Sequence, residues 1–477
     1  MKYCLVPFGC QMNISDSERI RSVLESLGYE WIAVEEEADI LGIVACSVRQ
    51  KAIDKVYTRI YKWNTWKAER ALTTFISGCV LPTDREKFVD RFDLMFTINE
   101  LPKLPEMIRH HGVVTPASLR AAENAMRDQM LGTAADPRKD YWKIAPQYSS
   151  SFEAYIPIQN GCDKFCTFCA VPYTRGREVS RPSEEILAEV QRLVSAGYKS
   201  LTLLGQNVNS YGLDRNGREM SFSALLREIG EIGRRRAGDG GDKFWVYFTS
   251  PHPKDMTDEV VDVIAQYDCL AKQIHLPIQT GDDKLLLRMK RNHGVDKYRR
   301  TVEKIRSTIP EATLFTDIIV GFTGETEEQF ENTRAAMREF RYNMAYIAMY
   351  SPRPGAASAR WGDDVPREEK RRRLHELTEE LQEMSLAANQ LLMGTERTIL
   401  VDGTDRKDGY LTGKTEGRLI VRFASTDKSL IGRFVTVRIS AAAPLSMEGG
   451  LVGREDGVRS SEKTVRPESP AAVGADR

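Results

Sequence analysis

Short blocks of apolar residues alternate with longer amphipathic stretches along the first hundred residues. Each block has the length of one strand, and the predicted strands are residues 3–8, 39–45, 72–77 and 92–97. Ser15 and Glu18 have the spacing of a capping box, which predicts a helix that begins there and ends at Leu27. Strands that alternate with helices predict an open parallel α/β sheet.

The same alternation returns between residues 151 and 360, where six apolar blocks are each followed by a helical stretch. Six such βα units predict a partial or closed parallel barrel with its functional site at the carboxyl ends of the strands. The predicted strands are residues 154–159, 200–204, 244–249, 272–276, 313–320 and 344–350.

Beyond residue 366 the pattern changes. A charged stretch at residues 366–393 predicts one long helix, and short β-branched blocks between glycine-rich turns then predict a small β-barrel. Residues 395–440 carry nine Lys and Arg against six Asp and Glu, an excess that favours RNA as a partner. After Ala441 the composition predicts a disordered tail.

The predicted fold is therefore α/β, with an open parallel sheet, a (βα)6 partial barrel and a small C-terminal β-barrel. The expected boundaries are an N-terminal domain at 1–118, a linker at 119–150, a central domain at 151–388, the small barrel at 389–441 and a disordered tail at 442–477. Helical periodicity near the linker is weak and is confined to residues 117–130.

Charge and cysteine usage add to this picture. The 68 Lys and Arg balance 68 Asp and Glu, so any RNA site has to be a local patch. The first residues lack the apolar region of a signal peptide, and no apolar run approaches the roughly 20 residues that span a bilayer. Eight cysteines in such a chain predict a protein of the reducing cytoplasm, in which thiolates bind metals.

Three of the cysteines, Cys162, Cys166 and Cys169, are spaced CxxxCxxC after the first predicted strand of the central barrel. Three thiolates can hold one 4Fe–4S cluster and leave its fourth iron open for chemistry, whereas a structural zinc site uses four ligands. No Cys or His follows at zinc-site spacing, since the next His is His252. A zinc knuckle with a remote ligand, or a redox pair, is the alternative.

Cys10, Cys46 and Cys79 each follow one predicted strand of the N-terminal sheet. The carboxyl ends of strands in an open α/β sheet form the ligand crevice, so three thiols from separate loops can converge there. One such cysteine alone would be interpreted as a core residue. Three in the same topological position predict a second three-thiolate cluster, whereas Cys4 and Cys269 lack partners at ligand spacing and are predicted to be core thiols.

The stretch GCDKFCTFCAVPYTRGREVSRP resembles the radical S-adenosylmethionine methylthiotransferases, and PYTRG followed by SRP resembles their MiaB-type branch, which modifies tRNA. GCQMN, ACSVR and SGCV resemble the cysteine motifs of that family's N-terminal domain, and residues 395–440 resemble a TRAM domain. The sequence departs from the family pattern at Val44-Ala45, at Val80-Leu81-Pro82 and at Thr323.

This resemblance implies two 4Fe–4S clusters and S-adenosylmethionine as cofactors. The cluster on the CxxxCxxC cysteines would reduce S-adenosylmethionine to a 5′-deoxyadenosyl radical, and the cluster on the three N-terminal cysteines would deliver sulfur. His252 and His275 are predicted to have structural roles, because neither has a partner at ligand spacing. The residues implied to contact S-adenosylmethionine are Phe168, Gln206, Gln279 and Asp317.

The implied reaction is methylthiolation of carbon 2 of isopentenyl-adenosine next to the tRNA anticodon. An aromatic C–H is too weak an acid for ordinary base catalysis, so a radical route suits it. The expected enzyme is a cytoplasmic monomer without a membrane segment, and its partners are the tRNA anticodon loop and a reductant such as flavodoxin or ferredoxin.

Three alternatives remain open at this point. Two are methylthiotransferases that act on threonylcarbamoyl-adenosine in tRNA or on an aspartate of a ribosomal protein. The third is a non-catalytic RNA-binding protein with structural metal sites, which would bind zinc and would not cleave S-adenosylmethionine.

Overall fold

The computed structural model describes residues 1–47, 50–109 and 141–453. The helix expected at residues 117–130 lies outside the described residues, as does the expected tail from residue 454 onward. Among the helices described, none has the length and apolarity needed to cross a bilayer.

The N-terminal domain is an open parallel sheet with helices packed against it, as predicted, but it has five strands because the short strand Glu30–Trp31 adds to the four expected. Its strands are β1 Lys2–Phe8, β2 Glu30–Trp31, β3 Ile40–Cys46, β4 Thr73–Cys79 and β5 Leu94–Met95, in the order β2-β1-β3-β4-β5. The helices are α1 Gln11–Ser26, α2 Gln50–Lys67, α3 Pro82–Phe88 and α4 Leu104–Arg109. The central strand β3 is buried along its whole length, which explains its unbroken apolar sequence.

Helix α1 begins earlier than predicted. Cys10 is its N-cap, and the backbone N–H of Cys10 donates to Oδ1 of Asn13 at 3.3 Å. Ser15 and Glu18 lie inside the helix, where the Glu18 carboxylate accepts hydrogen bonds from the backbone N–H and the hydroxyl of Ser149 at 2.9 and 2.7 Å. The capping-box prediction was wrong because the helix is capped at Cys10 and Glu18 binds Ser149, just before the central domain.

The central domain contains six parallel strands, as predicted. They are β6 Glu153–Pro157, β9 Ser200–Leu204, β10 Trp245–Phe248, β11 Gln273–His275, β12 Thr313–Val320 and β13 Met344–Met349. Two three-stranded sheets, β6-β9-β10 and β11-β12-β13, are joined where Val246 bridges Leu270. The result is a partial barrel.

A short antiparallel pair, β7 Gln159–Asn160 and β8 Val179–Ser180, stands at its carboxyl end. The helices of the central domain are α5 Val171–Arg175, α6 Ser183–Ser195, α7 Phe222–Gly238, α8 Asp258–Gln266, α9 Asp283–Arg288, α10 Val295–Thr308, α11 Glu327–Phe340 and α12 Arg367–Gln390.

The C-terminal domain is a closed barrel of five strands in the order β14-β15-β16-β18-β17. These are β14 Glu396–Thr404, β15 Tyr410–Thr415, β16 Ile420–Ala424, β17 Phe434–Ala443 and β18 Ser446–Leu451. The end of β17 and the whole of the last strand lie in the stretch for which we expected disorder, so that prediction was wrong for residues 442–443 and 446–451. The strand forms because β16 and β17 pair with its backbone on both sides and Met447 is buried in the barrel core.

The small barrel packs against the amino-terminal end of the partial barrel. Trp245 and Tyr247 of β10 point away from the helices, and Leu400 and Phe434 of the small barrel cover them. The Trp245 and Phe434 rings meet edge to face with centroids 4.6 Å apart. At the turn between β15 and β16, the Gly417 carbonyl accepts a hydrogen bond from the Thr313 hydroxyl at 2.7 Å. The inner face of the partial barrel is therefore closed at this end.

Candidate active site

The CxxxCxxC cysteines lie in the loop between β7 and β8, whose antiparallel pairing closes the base of the loop. The backbone N–H of Cys162 donates to the Gly176 carbonyl at 3.2 Å. Gly161 has a φ of +81°, and a Cβ there would lie 2.0 Å from the carbonyl oxygen of Arg177. Only glycine fits where the two arms of the loop meet.

The far side of the same loop is fixed to the barrel rim. The Thr167 backbone N–H donates to the Met289 carbonyl at 3.1 Å, and its hydroxyl donates to the Arg288 carbonyl at 2.9 Å. Phe168 is half-buried, and its ring packs against a small apolar cluster formed by Leu285, Met289, Ile319, Phe322 and Tyr350. The Phe168 ring thus anchors the cysteine loop to this apolar cluster.

The three thiols of the loop lie close enough to influence one another. Burial raises the pKa of Cys162, and it raises the pKa of Cys169 to about 12, with the neighbouring thiols adding to both. Arg291 Nη1 lies 3.5 Å from Sγ of Cys166, and the Val171 backbone N–H donates to Sγ of Cys169 at 3.5 Å. Metal coordination deprotonates such thiols, so three neighbouring thiols, of which two are buried and two face N–H donors, fit a cluster site.

The three N-terminal cysteines lie at one edge of their sheet. Cys46 and Cys79 end neighbouring strands as register partners, and Cys10 caps α1 beside them. A hydrogen bond with Cys46, together with burial, raises the pKa of Cys79. Burial raises the pKa of Cys10, and the nearby Cys79 adds to the effect. The strand-end positions thus bring the three cysteines to one edge of the sheet, and their role as cluster ligands stays a prediction.

Asn13 holds this second cysteine set together, and the sequence analysis did not single it out. Its Nδ2 donates to the Ala45 carbonyl at 2.8 Å, which ties the start of α1 to the end of β3. A Cβ on Gly9 would lie 2.1 Å from Asn13 Oδ1 and 3.0 Å from the Cys46 Cβ. The glycine and asparagine of the GCQMN motif therefore allow the close approach of two strand ends.

Arg175 is another site residue that sequence reasoning missed. Its Nε donates to Sγ of Cys79 at 2.9 Å, and its Nη1 donates to Oδ1 of Asn160 at 3.3 Å. The remaining nitrogen, Nη2, forms an ion pair with Asp16 in which the side chains are 2% and 0% exposed. Arg175 is the arginine of PYTRG, so its position directly after the cysteine loop was the available signal.

The polar residues predicted at other strand ends lie on two sides of the barrel mouth. Gln206 accepts a hydrogen bond from the Gly161 backbone N–H, so it braces the cysteine loop. Gln279, with a φ of +74°, donates its backbone N–H to the Asp317 carbonyl at 2.9 Å. The Asp317 carboxylate is 37% exposed and lies 3.2 Å from Nε2 of His275. The amide and carboxylate of this second side suit a polar ligand.

Behind the cysteine loop lies a buried polar cluster. Lys164 and Asp255 form an ion pair of 2.6 Å, and the Ser210 hydroxyl donates to Glu178 at 2.6 Å. Burial raises the pKa of Glu178 to about 8. His252 Nδ1 accepts a hydrogen bond from the Lys254 backbone N–H at 3.1 Å, which is a structural role.

Within the described ranges, no three Cys, His, Asp or Glu side chains are grouped as ligands of a single metal ion. Whether both cysteine sets fit iron–sulfur clusters is therefore decided by the chemistry of the groups present, which are thiols and the N–H groups that donate to them. Each set offers three thiols and at least one N–H donor to sulfur.

Three family models match the chain. They are the Radical SAM superfamily at residues 156–337, the Uncharacterized protein family UPF0004 at residues 2–98 and the TRAM domain at residues 390–452. The solved structure of the radical S-adenosylmethionine methyltransferase TsrM from Kitasatospora setae superposes with a TM-score of 0.54 at 14% identity. That superposition covers 88% of this chain and 81% of the other, which shows a shared fold.

Two curated relatives carry the same name, tRNA-2-methylthio-N(6)-dimethylallyladenosine synthase. The chain is 39% identical to the protein from Geobacter metallireducens over 93% of this chain and 97% of that protein. It is 38% identical to the protein from Yersinia enterocolitica over 94% of this chain and 92% of that protein.

Fold, cysteine loop and family models together define a radical S-adenosylmethionine enzyme of the methylthiotransferase class. That class implies a 4Fe–4S cluster and S-adenosylmethionine as cofactors. Within the class, the chain belongs to the family of tRNA-2-methylthio-N(6)-dimethylallyladenosine synthases. The family and enzyme class predicted from the sequence motifs are confirmed.

Proposed function

We propose that this enzyme methylthiolates carbon 2 of isopentenyl-adenosine next to the tRNA anticodon and yields 2-methylthio-N(6)-isopentenyladenosine. The names of the relatives support this reaction. In the same proposal, the CxxxCxxC cysteines hold the catalytic 4Fe–4S cluster, and Cys10, Cys46 and Cys79 hold an auxiliary one.

One observation carries this proposal: a single short helix joins the two cysteine sets. The backbone N–H of Val171, at the start of α5, donates to Sγ of Cys169, and Arg175 at its end donates to Sγ of Cys79. Five residues at about 1.5 Å each make α5 roughly 7 Å long. The two cysteine sets are therefore neighbours, and cofactors that they hold could act on one substrate.

When bound, the cofactors would supply the electron that cleaves S-adenosylmethionine and the sulfur that is transferred. The side chains of the protein then have positioning roles. Gln206 holds the cysteine loop through the Gly161 N–H, and Asp317 and Gln279 would accept and donate hydrogen bonds to S-adenosylmethionine. The target base has to be turned out of its stack to reach this mouth.

The same proposal includes the partners of the enzyme, its oligomeric state and its location. The TRAM domain, with its excess of basic residues, binds the tRNA, and a reductant such as flavodoxin or ferredoxin supplies electrons. The enzyme acts as a monomer in the cytoplasm. The N-terminal domain and the TRAM domain are separate units that flank the catalytic barrel in the sequence.

Anaerobic iron and sulfide analysis tests the two-cluster proposal. We expect about eight iron atoms in the wild type and about four in a Cys162/Cys166/Cys169→Ala variant. About four and none would mean that the N-terminal thiols hold no cluster. Zinc in place of iron would favour an RNA-binding protein with structural metal sites.

Nucleoside analysis by mass spectrometry tests the substrate. Incubation with tRNA that carries isopentenyl-adenosine should give the 2-methylthio derivative, and tRNA that carries threonylcarbamoyl-adenosine should stay unchanged. The opposite outcome would assign the enzyme to the other tRNA branch of the class.

A further inference from the structure

Arg175 belongs to the sequence of one cysteine set and contacts a thiol of the other. It follows Cys169 by six residues, yet its Nε donates to Sγ of Cys79 at 2.9 Å. Three acceptors from three different elements hold the guanidinium, namely Cys79 on β4, Asp16 on α1 and Asn160 on β7. These three contacts together fix the orientation of the Arg175 guanidinium.

A buried arginine at this position needs a reason, because moving a charge out of water costs several kcal/mol. Asp16 offsets part of this cost, and the Tyr141 hydroxyl in turn donates to Asp16 at 2.8 Å. Replacement of such a pair by apolar residues is often neutral for stability, so stability alone does not explain it. The contact with the Cys79 sulfur gives the pair a second role.

Hydrogen bonds to ligand sulfurs help to set the reduction potential of an iron–sulfur cluster. A cationic donor stabilises the reduced, more negative cluster, and a nearby carboxylate opposes this effect. Arg175 and Asp16 therefore act in opposite directions on any cluster that Cys79 binds. Among the described residues, Arg291 is the counterpart on the other set, at a longer 3.5 Å from Cys166.

We propose that Arg175 is a positioning residue that sets the reduction potential of the auxiliary cluster and fixes this cluster relative to the catalytic loop. The inference rests on the proposed auxiliary cluster. Asp16 has the complementary part, because it orients the guanidinium and balances its charge. Through Val171 and Arg175, one short helix contacts sulfurs of both cysteine sets.

The test is a redox titration followed by electron paramagnetic resonance. The full chain with Cys162/Cys166/Cys169→Ala is reconstituted anaerobically, so that only the N-terminal thiols can hold iron. We expect Arg175→Gln to make the midpoint potential more negative, Arg175→Lys to restore part of the shift and Asp16→Asn to make it more positive. The control is Arg177→Gln, two residues further on, because Arg177 is 43% exposed and pairs with Asp163.

The outcomes distinguish a failure of the proposed auxiliary cluster from a failure of the proposed role of Arg175. If the reconstituted background protein binds no iron, the auxiliary cluster itself is wrong, and this inference is wrong with it. If Arg175→Gln holds about four iron atoms at an unchanged potential, only the role of Arg175 is wrong. Should Arg175→Gln fail to fold or to bind iron, unchanged potentials in both Arg175→Lys and Asp16→Asn would overturn the inference.

Discussion

The guanidinium of Arg418 lies 4.0 Å from the centre of the Tyr247 ring, and its Nη2 donates to the Thr202 hydroxyl at 2.9 Å. Arg418 belongs to the TRAM barrel, whereas Tyr247 and Thr202 belong to strands of the catalytic barrel. The φ of Arg418 is +57°, a conformation that costs energy for any residue with a side chain. The contacts across the interface therefore hold this turn in place.

Arg418→Ala should loosen the TRAM barrel. A cation–π contact and a hydrogen bond together contribute about 1–3 kcal/mol, and the variant loses both. Native-state hydrogen exchange of the β16 amides measures this local free energy of unfolding. Arg406→Ala is the control, since Arg406 is exposed on the same barrel. Equal protection in both variants would contradict the expectation.

Gly161→Ala should prevent the cysteine loop from closing. A Cβ would lie 2.0 Å from the Arg177 carbonyl oxygen, and a backbone atom cannot move aside as a flexible side chain can. We expect the loss of about four iron atoms, measured anaerobically. Gly197→Ala is the matched control, because Gly197 has a φ of +90° and open space around it. This control should cost about 1–2 kcal/mol of stability and retain its iron.

Cys4 and Cys269 should behave as core residues. They are 5% and 9% exposed, and burial raises the pKa of both thiols to about 11. Alanine at either position should lower the free energy of unfolding by about 1 kcal/mol and leave iron and sulfide unchanged. Cys10→Ala and Cys46→Ala should instead each remove about four iron atoms. Iron loss in the Cys4 or Cys269 variant would revise the ligand set.

Stability in mild acid should depend on His293. Burial and the nearby Arg291 lower the pKa of His293 to about 4, whereas an unfolded histidine titrates near 6.5. Between these two pKa values the unfolded chain binds a proton at His293 and the folded chain does not. The free energy of unfolding therefore falls as the pH falls from 6.5 to 4. The loss is about 3 kcal/mol over that range.

Urea unfolding of the iron-free protein at steps between pH 7 and pH 4 measures this loss. His293→Asn should reduce the pH dependence, and the part that remains comes from groups such as His252, whose pKa is lowered even further by burial. His375→Asn should not reduce it, because the His375 side chain is 73% exposed. Identical pH profiles for the two variants would show that His293 does not carry the effect.

The sequence predicted the strands and the convergence of cysteines for one reason. In a parallel sheet every strand ends at the same edge, so residues that follow Phe8, Ala45 and Ser77 have to meet whatever the intervening helices contain. Hydrophobic blocks are sufficient to locate such strands. The ligand candidates therefore followed from topology without knowledge of any side-chain contact.

Other features depend on contacts that no local pattern records. Arg175 and Cys79 are 96 residues apart, and they meet because the central domain docks on the N-terminal domain, with α1 against β6 and α5 against β4. Glu18 has the spacing of a capping residue, and its partner Ser149 lies 131 residues away. The strand Ser446–Leu451 has a glycine-rich composition, so its pairing with two neighbours was invisible from the sequence.

The buried carboxylates of α1 bear on the order in which the protein is made. Asp16 and Glu18 find their partners in Arg175 and Ser149, which the ribosome adds long after the N-terminal sheet has emerged. Until then these carboxylates remain hydrated, and α1 packs against its own sheet with its other face exposed to water. The paired site therefore assembles only after Ser149 and Arg175 have been synthesised, although most of the chain is still to be made at that point.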